Sequence, residues 1–227
     1  MGRAPFLREP AIAARKWHLS ETSEPFGVLA QLYGRNSVET PYVTEKEAIA
    51  CELLVLRCRQ GRKEALEEMV RTWERPLFYY IRRLIDDEDE ALHVLQQTWV
   101  CVLQGLRTLR EPRKLPAWLY GIARKTALSH LRARYSERSL FREEQATRDS
   151  EDGDVHLSVD RVEEIHYGLS RISLVQREVL TLFFLQDLSL EEIASVLEIP
   201  LGTVKSRLHH AKRALKAVLK QEESSHE

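Results

Sequence analysis

The stretch that decides the fold of the C-terminal part is REVLTLFFLQDLSLEEIASVLEIPLGTVKSRLHHAKRAL, residues 177–215. Ser189 and Glu192 form a capping box, in which a hydroxyl and a carboxylate satisfy free N–H groups at the start of a short helix. Ser173 and Gln176, just before this stretch, predict an earlier helix start in the same way. Residues 199–202 contain a proline and a glycine and predict a turn, after which Thr203 begins a longer helix. A helix, a tight turn and a second helix with this spacing predict a helix-turn-helix motif.

The second helix of this motif has an apolar side and a basic side. Apolar residues recur at i, i+4, i+7 and i+11 and are expected to pack inward: Val204, Leu208, Ala211 and Leu215. The side chains left outward near its first turns are Lys205, Ser206, His209 and Lys212, flanked by Arg207, Arg213 and Lys216. A helix with a merely solvated basic side would show the same period. The turn chemistry and the single sign of charge favour DNA reading.

The N-terminal half predicts a second group of helices. Thr44 and Glu47 form a capping box, and the five acids of residues 86–90 indicate a turn followed by a helix N-terminus, where negative charge is favourable. The next helix carries an apolar stripe at helical spacing: Leu92, Leu95, Trp99, Val102 and Leu106. Another helix is expected from about Pro116 to about Tyr135. No strand alternation appears, so we expect an all-α fold.

The distribution of charge divides the chain, although the net charge is only -1. Residues 107–142 hold ten Lys or Arg against two Glu, whereas residues 143–164 hold nine acids against two Arg. We therefore expect two small helical domains that bind a polyanion, joined by a flexible acidic linker that stays off it. The expected segments are an irregular N-terminal extension, a first domain, the linker and a second domain: residues 1–43, 44–138, 139–160 and 161–221.

The composition argues against several classes of protein. Three cysteines cannot form an even disulfide framework, and Cys51 and Cys58 lie on one helical face, which fits buried apolar residues better than a metal site. No apolar run approaches the roughly 20 residues of a membrane span, and no secretory signal is recognisable, so we expect a cytoplasmic protein. No phosphate loop, metal-ligand set or activated nucleophile is evident, so we expect no cofactor and no catalytic residue.

Residues 177–215 look like the sigma-4 domain of the sigma-70 family of bacterial RNA polymerase sigma factors, especially its extracytoplasmic-function group, and the GTVKSRL segment is highly specific. The resemblance implies that the second helix recognises the promoter's upstream (minus thirty-five) element. Lys205, Ser206, His209 and His210 are then base-proximal, Arg207 and Lys212 contact the backbone, and Thr203 belongs to the same site. His210 stands where Arg is common, which predicts a weaker contact or a different base, since its charge is conditional at neutral pH.

Two earlier stretches resemble the sigma-2 domain: ALEEMVRTWERPLFYYIRRLIDDEDEALHVLQQTW, residues 65–99, and KLPAWLYGIARKTALSHLRAR, residues 114–134. The resemblance implies that the glutamine-containing helix binds the clamp helices of the largest polymerase subunit. The polymerase-binding residues would be Leu92, His93, Leu95, Gln96, Gln97 and Trp99. His93 stands where Asp is usual, which predicts either a retuned affinity for polymerase or its loss.

The following segment of the sigma-2 domain melts and captures the downstream (minus ten) element in the family. Such a segment needs cations for phosphates and aromatic side chains for unstacked bases. The implied residues are Trp118, Arg124, Lys125, Arg132 and Arg134. Trp118 matches the family's AWL tryptophan but could equally be a core aromatic. Lys125 and Ser129 replace the usual Asn and Asp, which predicts a shifted base preference.

The resemblance also implies partners. They are core RNA polymerase, through its clamp helices and flap, and promoter DNA, as duplex and as melted single strand. Family members are commonly held by an anti-sigma factor, so we expect one here. The linker is too short for a sigma-3 domain; its acidity suits the polymerase's basic channel, but an inert tether would look the same. The extension, with Trp17, Phe26 and Tyr33, is interpreted as a loose tail or as a partner contact.

We therefore predict a promoter-specificity subunit without chemistry of its own. Two weak DNA contacts would combine because polymerase holds both domains, so that avidity supplies most of the affinity. A dimeric helix-turn-helix regulator is the alternative, and it should bind a two-fold operator with half-sites about one helical turn apart. That alternative gives the basic block of residues 114–134 no role.

Overall fold

The computed structural model describes residues 45–141 and 168–223, with side chains over residues 45–135 and 168–221. Within these ranges the chain is helical and has no strand, so the prediction of an all-α fold with two helical domains is confirmed. Thr44, the N-terminal extension and most of the expected linker lie outside the described residues.

Four helices form the first body. They are α1 (Glu45–Arg59), α2 (Lys63–Arg82), α3 (Glu88–Gly105) and α4 (Leu115–Phe141), with short 3₁₀ turns at Leu106–Thr108 and Pro112–Lys114. Removing large apolar side chains from water holds the four helices together. The fully buried ones are drawn from all four helices: Val55, Met69, Leu77, Ile81, Val94 and Leu119.

Three helices of the second body lie within the described residues. They are α5 (Leu174–Leu180), which continues as a π-helical turn over Thr181–Leu185, α6 (Leu190–Leu197) and α7 (Leu201–Glu223). Apolar residues of all three fill its core: Val179, Leu182, Ile193, Val204, Leu208 and Leu215. Helices α5 and α6 are short, and their packing on the longer α7 fixes how α7 is presented.

Side-chain caps start the helices where the sequence predicts. The Ser189 hydroxyl accepts from the Glu192 amide at 2.9 Å while the Glu192 carboxylate accepts from the Ser189 amide at 2.8 Å, and Ser173 and Gln176 form the same box before α5. Asp87 accepts from the amide of Glu90 at 2.8 Å, with acidic residues in the first turn of α3. These predicted helix starts are confirmed.

The turn between α6 and α7 differs slightly from the prediction. Glu198 adopts a left-handed conformation, φ 56°, and ends α6. Helix α7 begins at Leu201 rather than Thr203, because the carbonyl of Pro200 already accepts from the amides of Thr203 and Val204 at 2.9 and 3.1 Å. The first helical turn therefore reaches further back toward α6 than expected.

The inward face of α3 is also turned from the predicted stripe. The buried residues are Ala91, Val94, Leu95, Thr98 and Val102, whereas Leu92 is exposed and Trp99 is half-buried. Small residues at positions 91 and 98 let α3 lie close against α2 and α4, and this close approach selects the buried face.

Candidate nucleic-acid interface

Helix α7 presents the face that its apolar period predicts. All four residues expected to pack inward are buried: Val204, Leu208, Ala211 and Leu215. Four polar residues on the opposite side are exposed, and we call them the upstream surface: Lys205, Ser206, His209 and His210. A long helix with one exposed polar face at its N-terminal turns has the form that enters a major groove.

Contacts inside the upstream surface are few and local. The Ser206 hydroxyl donates to the carbonyl of Thr203 at 3.0 Å, and the rings of His209 and His210 lie edge to face with centroids 5.7 Å apart. Thr203 and Arg207 are half-buried at its edge. The exposed residues are thus positioned by the helix backbone and remain accessible to a ligand.

Lys212, expected to contact the DNA backbone, is placed differently from the four exposed residues. Its ammonium lies over the rings of Phe183 and Phe184, 5.4 and 5.0 Å from their centroids. Such cation–π contacts hold the Lys212 ammonium on the π-helical turn of the second body. A phosphate contact by Lys212 would compete with these rings.

The predicted minus-ten residues all lie on α4, and we call them the downstream surface: Trp118, Arg124, Lys125, Arg132 and Arg134. Unlike the upstream surface, this one is partly covered by the second body. The guanidinium Nε of Arg124 donates to the Glu178 carboxylate at 2.8 Å, and the hydroxyl of Tyr80 donates to the same oxygen at 2.9 Å. The side chains of Glu178 and Arg124 are only 6% and 18% exposed.

The contact between α5 and the first body is largely buried, so its charged groups need partners within the protein. A carboxylate withdrawn from water is tolerated only when charged or hydrogen-bonding partners replace that water. Burial and the neighbouring charge of Glu178 raise the pKa of Tyr80 well above its usual value, so its hydroxyl keeps its proton and can donate. Arg124 and Tyr80 therefore supply the charge and the hydrogen bonds that the buried Glu178 carboxylate needs. We call these three side chains the buried set.

Further polar contacts join the two bodies around this set. Lys125 pairs with Glu198 at 2.7 Å, and this lysine lowers the pKa of the Glu198 carboxyl. The hydroxyl of Tyr120 donates to the side-chain oxygen of Gln186. Two of the five predicted downstream residues, Arg124 and Lys125, are thus occupied by the second body.

Arg177 adds a contact beside α2. It donates to the backbone carbonyl of Arg83 at 3.3 Å and lies 3.5 Å from the Asp86 carboxylate. Its burial lowers the pKa of its guanidinium, and the Asp86 carboxylate acts in the opposite direction. The start of α5 is therefore tied to the first body through both charge and backbone.

The three other downstream residues differ in their surroundings. Trp118 is half-buried and packs against the end of α3, where a Cβ added at Gly105 would lie 3.2 Å from its ring. Arg134 pairs with Glu90, which also faces His130 at 3.3 Å, and Arg132 is exposed. Packing thus accounts for Trp118 in this arrangement, while Arg132 is accessible.

The predicted polymerase-binding residues also differ in how exposed they are. Leu92, His93, Gln96 and Gln97 are exposed on α3, Trp99 is half-buried, and Leu95 is buried in the core, so its placement on a binding surface does not fit this arrangement. Sequence reasoning missed two exposed apolar residues, Val100 and Leu103. Counted from Leu92, the residues Gln96, Val100 and Leu103 fall at i+4, i+8 and i+11, a signal hidden because the inward stripe has a similar spacing.

The described ranges contain neither a membrane-spanning helix nor a cluster of metal-binding side chains. None of the helices there is long and apolar enough to cross a bilayer. No group of three His, Cys, Asp or Glu in the same ranges is arranged to hold a metal ion.

Family models match both helical bodies in order. The model described as Sigma-70 region 2 matches residues 69–137, and the one described as Sigma-70, region 4 matches residues 163–215. Among solved structures, the sigma factor RpoE in complex with the anti-sigma factor NepR from Bartonella quintana aligns with a TM-score of 0.57 at 23% identity, covering 68% of this chain and 96% of that one. CnrH in complex with the cytosolic domain of CnrY gives 0.56 at 21% identity, covering 76% and 98%. At these identities the two structures support the fold.

Curated relatives are similar over most of their length. The RNA polymerase sigma-H factor of Pseudomonas aeruginosa is 30% identical over 177 residues, covering 73% of this chain and 92% of that protein. The ECF RNA polymerase sigma factor SigW of Bacillus subtilis is 25% identical, covering 73% and 95%. On these matches and the two regions found in order, the chain belongs to the sigma-70 family of RNA polymerase sigma factors.

Proposed function

We propose that this sigma factor directs core RNA polymerase to promoters by reading the upstream element with the exposed face of α7 and the minus-ten element with α4. The observation that carries the proposal is the exposed Lys205–Ser206–His209–His210 face on the second helix of a helix-turn-helix. Its side chains combine one fixed cation with hydrogen-bonding groups, which suits base edges in a major groove.

The exposed apolar stripe of α3 supports a polymerase contact on the same molecule. Leu92, Val100 and Leu103 are each between 41% and 52% exposed and share one helix face with Gln96. Contiguous apolar side chains on a surface favour a protein partner over water. We therefore add Val100 and Leu103 to the proposed polymerase-binding residues Leu92, His93, Gln96 and Gln97.

The remaining parts of the proposal concern partners and setting. We propose that the chain acts in the cytoplasm and supplies specificity to polymerase without catalysing a reaction itself. We also propose that an anti-sigma factor regulates it. The structurally similar sigma factor RpoE of Bartonella quintana forms a complex with the anti-sigma factor NepR, and CnrH forms one with the cytosolic domain of CnrY.

Transcription in vitro with core polymerase and a pool of promoter sequences tests this proposal. Lys205→Ala should weaken selection of the upstream element by about 1–3 kcal/mol, the range for a good base contact. Lys125→Ala should change promoter opening more than initial binding, because that residue belongs to the downstream surface. Lys63→Ala, on the exposed side of α2, is the matched control and should alter neither step.

Two outcomes would overturn the proposal. The first is a purified chain that does not associate with core polymerase under any buffer condition. The second is tight binding of the free chain to a two-fold operator, which would indicate a dimeric regulator. Equal effects of the Lys205 and Lys125 variants on both steps would contradict the division between α7 and α4.

A further inference from the structure

Helix α1 has apolar residues on two opposite faces. Leu54, Val55 and Cys58 are buried in the first body. On the other side, Ile49, Leu53 and Leu56 recur at i, i+4 and i+7 and are 41%, 55% and 44% exposed; we call these three the outer stripe. A helix that is apolar on both sides is expected to be covered on both sides.

Ion pairs border the outer stripe along its two edges. On one edge, Arg113 pairs with Glu45 at 2.9 Å and with Glu52 at 3.0 Å. On the other edge, Arg57 pairs with Glu68 at 3.0 Å. An apolar strip inside a polar rim has the anatomy of a protein–protein contact, so the stripe fits an apolar helix or strand rather than a charged ligand.

The chain that leads into α1 contains a segment of matching character. Within the extension that is otherwise irregular in sequence, residues 26–33, FGVLAQLY, contain four residues that recur at i, i+3, i+4 and i+7: Phe26, Leu29, Ala30 and Tyr33. Pro25 precedes this pattern and Gly34 follows it, as they do at helix starts and stops. Residues 34–44 then connect it to Glu45, the first residue of α1. Eleven residues are enough to reverse direction, since helix–helix connections in bundles take about 2–8.

We propose that residues 26–33, which lie outside the described part of the chain, form an amphipathic helix that packs antiparallel on the outer stripe of α1. Because both surfaces belong to one chain, the short connection supplies a high effective concentration, and a small apolar contact suffices. The direct connection through residues 34–44 favours this occupant over a separate partner, which would have to be recruited from solution.

Hydrogen–deuterium exchange on the full-length protein tests the docking directly. In the unmodified chain, the amides of residues 28–33 should exchange at least about tenfold more slowly than in a free peptide of the same sequence. Leu53→Asp should bring them back to the rate of the free peptide. Leu29→Asp, on the segment itself, should do the same while the amides of α1 stay protected. Val100→Asp is the matched control, since Val100 is a 47% exposed apolar residue on α3, and it should leave the segment protected.

Three results would overturn the docking. The first is exchange in the unmodified chain as fast as in the free peptide. The second is protection that survives Leu53→Asp, which would place the segment elsewhere. The third is protection that appears only at high protein concentration, which would assign the stripe to a second copy of the chain. None of these readouts depends on polymerase or promoter, so their outcome is independent of the proposed function.

Discussion

The two surfaces that we propose to bind DNA, the upstream surface and the downstream surface, contain similar residues but differ in what lies against them. On α7, Lys205, Ser206 and the two histidines face solvent. On α4, Arg124 and Lys125 are held by carboxylates of the other body. A basic surface can therefore be fully formed and still be occupied by acidic groups of its own chain. In the arrangement described here, the chain can present the upstream surface directly, whereas the downstream surface requires the second body to move.

The two contacts that cover α4 differ in strength. The Arg124–Glu178 pair is largely buried and shares its carboxylate with Tyr80, whereas Lys125 and Glu198 are 68% and 61% exposed. Exposed pairs contribute little because water and salt screen them. The buried set is thus expected to determine whether the second body stays on α4, and the following predictions test that.

The largest effect is expected from Glu178→Ala. Removing one partner of a buried pair costs about 3–5 kcal/mol, because Arg124 is left with its charge unpaired. The two bodies can avoid this cost by separating, so the radius of gyration measured by small-angle X-ray scattering should increase. Binding of single-stranded minus-ten DNA without polymerase should strengthen, while duplex binding through α7 should not change.

Glu198→Ala is the control for that variant. It also removes a carboxylate that bridges the two bodies, but from the exposed pair, and should leave the scattering profile close to that of the unmodified protein. Identical profiles for the two variants would show that the buried set does not hold the bodies together.

A smaller effect is expected from Tyr80→Phe. The change removes one of the two donors to Glu178 and keeps the ion pair with Arg124. The loss should be about 1–2 kcal/mol, measured as the free energy of unfolding in urea. Tyr79→Phe is the matched control on the same helix, because the hydroxyl of Tyr79 accepts from Arg83 within the first body. Equal losses of the free energy of unfolding would show that the hydroxyl of Tyr80 contributes no more to stability than that of Tyr79.

The smallest effect is expected on acidification. Lys125 lowers the pKa of Glu198 in the folded protein, so this pair stabilises the closed arrangement above the ordinary glutamate pKa and is lost as the pH falls through the lowered value. Chemical shifts near Glu198, followed by NMR from neutral pH downward, should show this transition. In Lys125→Ala the transition should return toward the ordinary pKa of glutamate. An unchanged transition would mean that the pair does not form in solution.

The local features of the fold could be predicted from the sequence because they depend on neighbouring residues. The boxes at Ser173 and Ser189 need partners only three residues away, and the buried side of α7 follows from one helical period. Which face of α3 is buried was harder to predict. Leu92 and Leu95 both fit an apolar stripe, and the packing of α2 and α4 against α3 decides which of them is buried. That packing cannot be deduced from the spacing of the stripe.

The covering of α4 could not be predicted, for a different reason. Glu178 and Arg124 are 54 residues apart, and neither position belongs to a period or motif that indicates a pair. Sequence reasoning assigned Arg124 and Lys125 to DNA from the resemblance to the sigma-2 domain and from the basic charge of their segment. The same charge attracts the carboxylates of Glu178 and Glu198, so an intramolecular partner and a nucleic acid produce the same pattern along the chain.

The hydroxyl ends of Tyr80 and Tyr120 meet side chains of the second body, and both rings are almost wholly removed from water in the closed form. Once the bodies part, these edges and the freed Glu178 must be hydrated. The aromatic pair, whose centroids are 5.4 Å apart, then borders newly wetted surface. Opening should therefore raise the heat capacity of the chain and leave it prone to self-association until another macromolecule shields that surface.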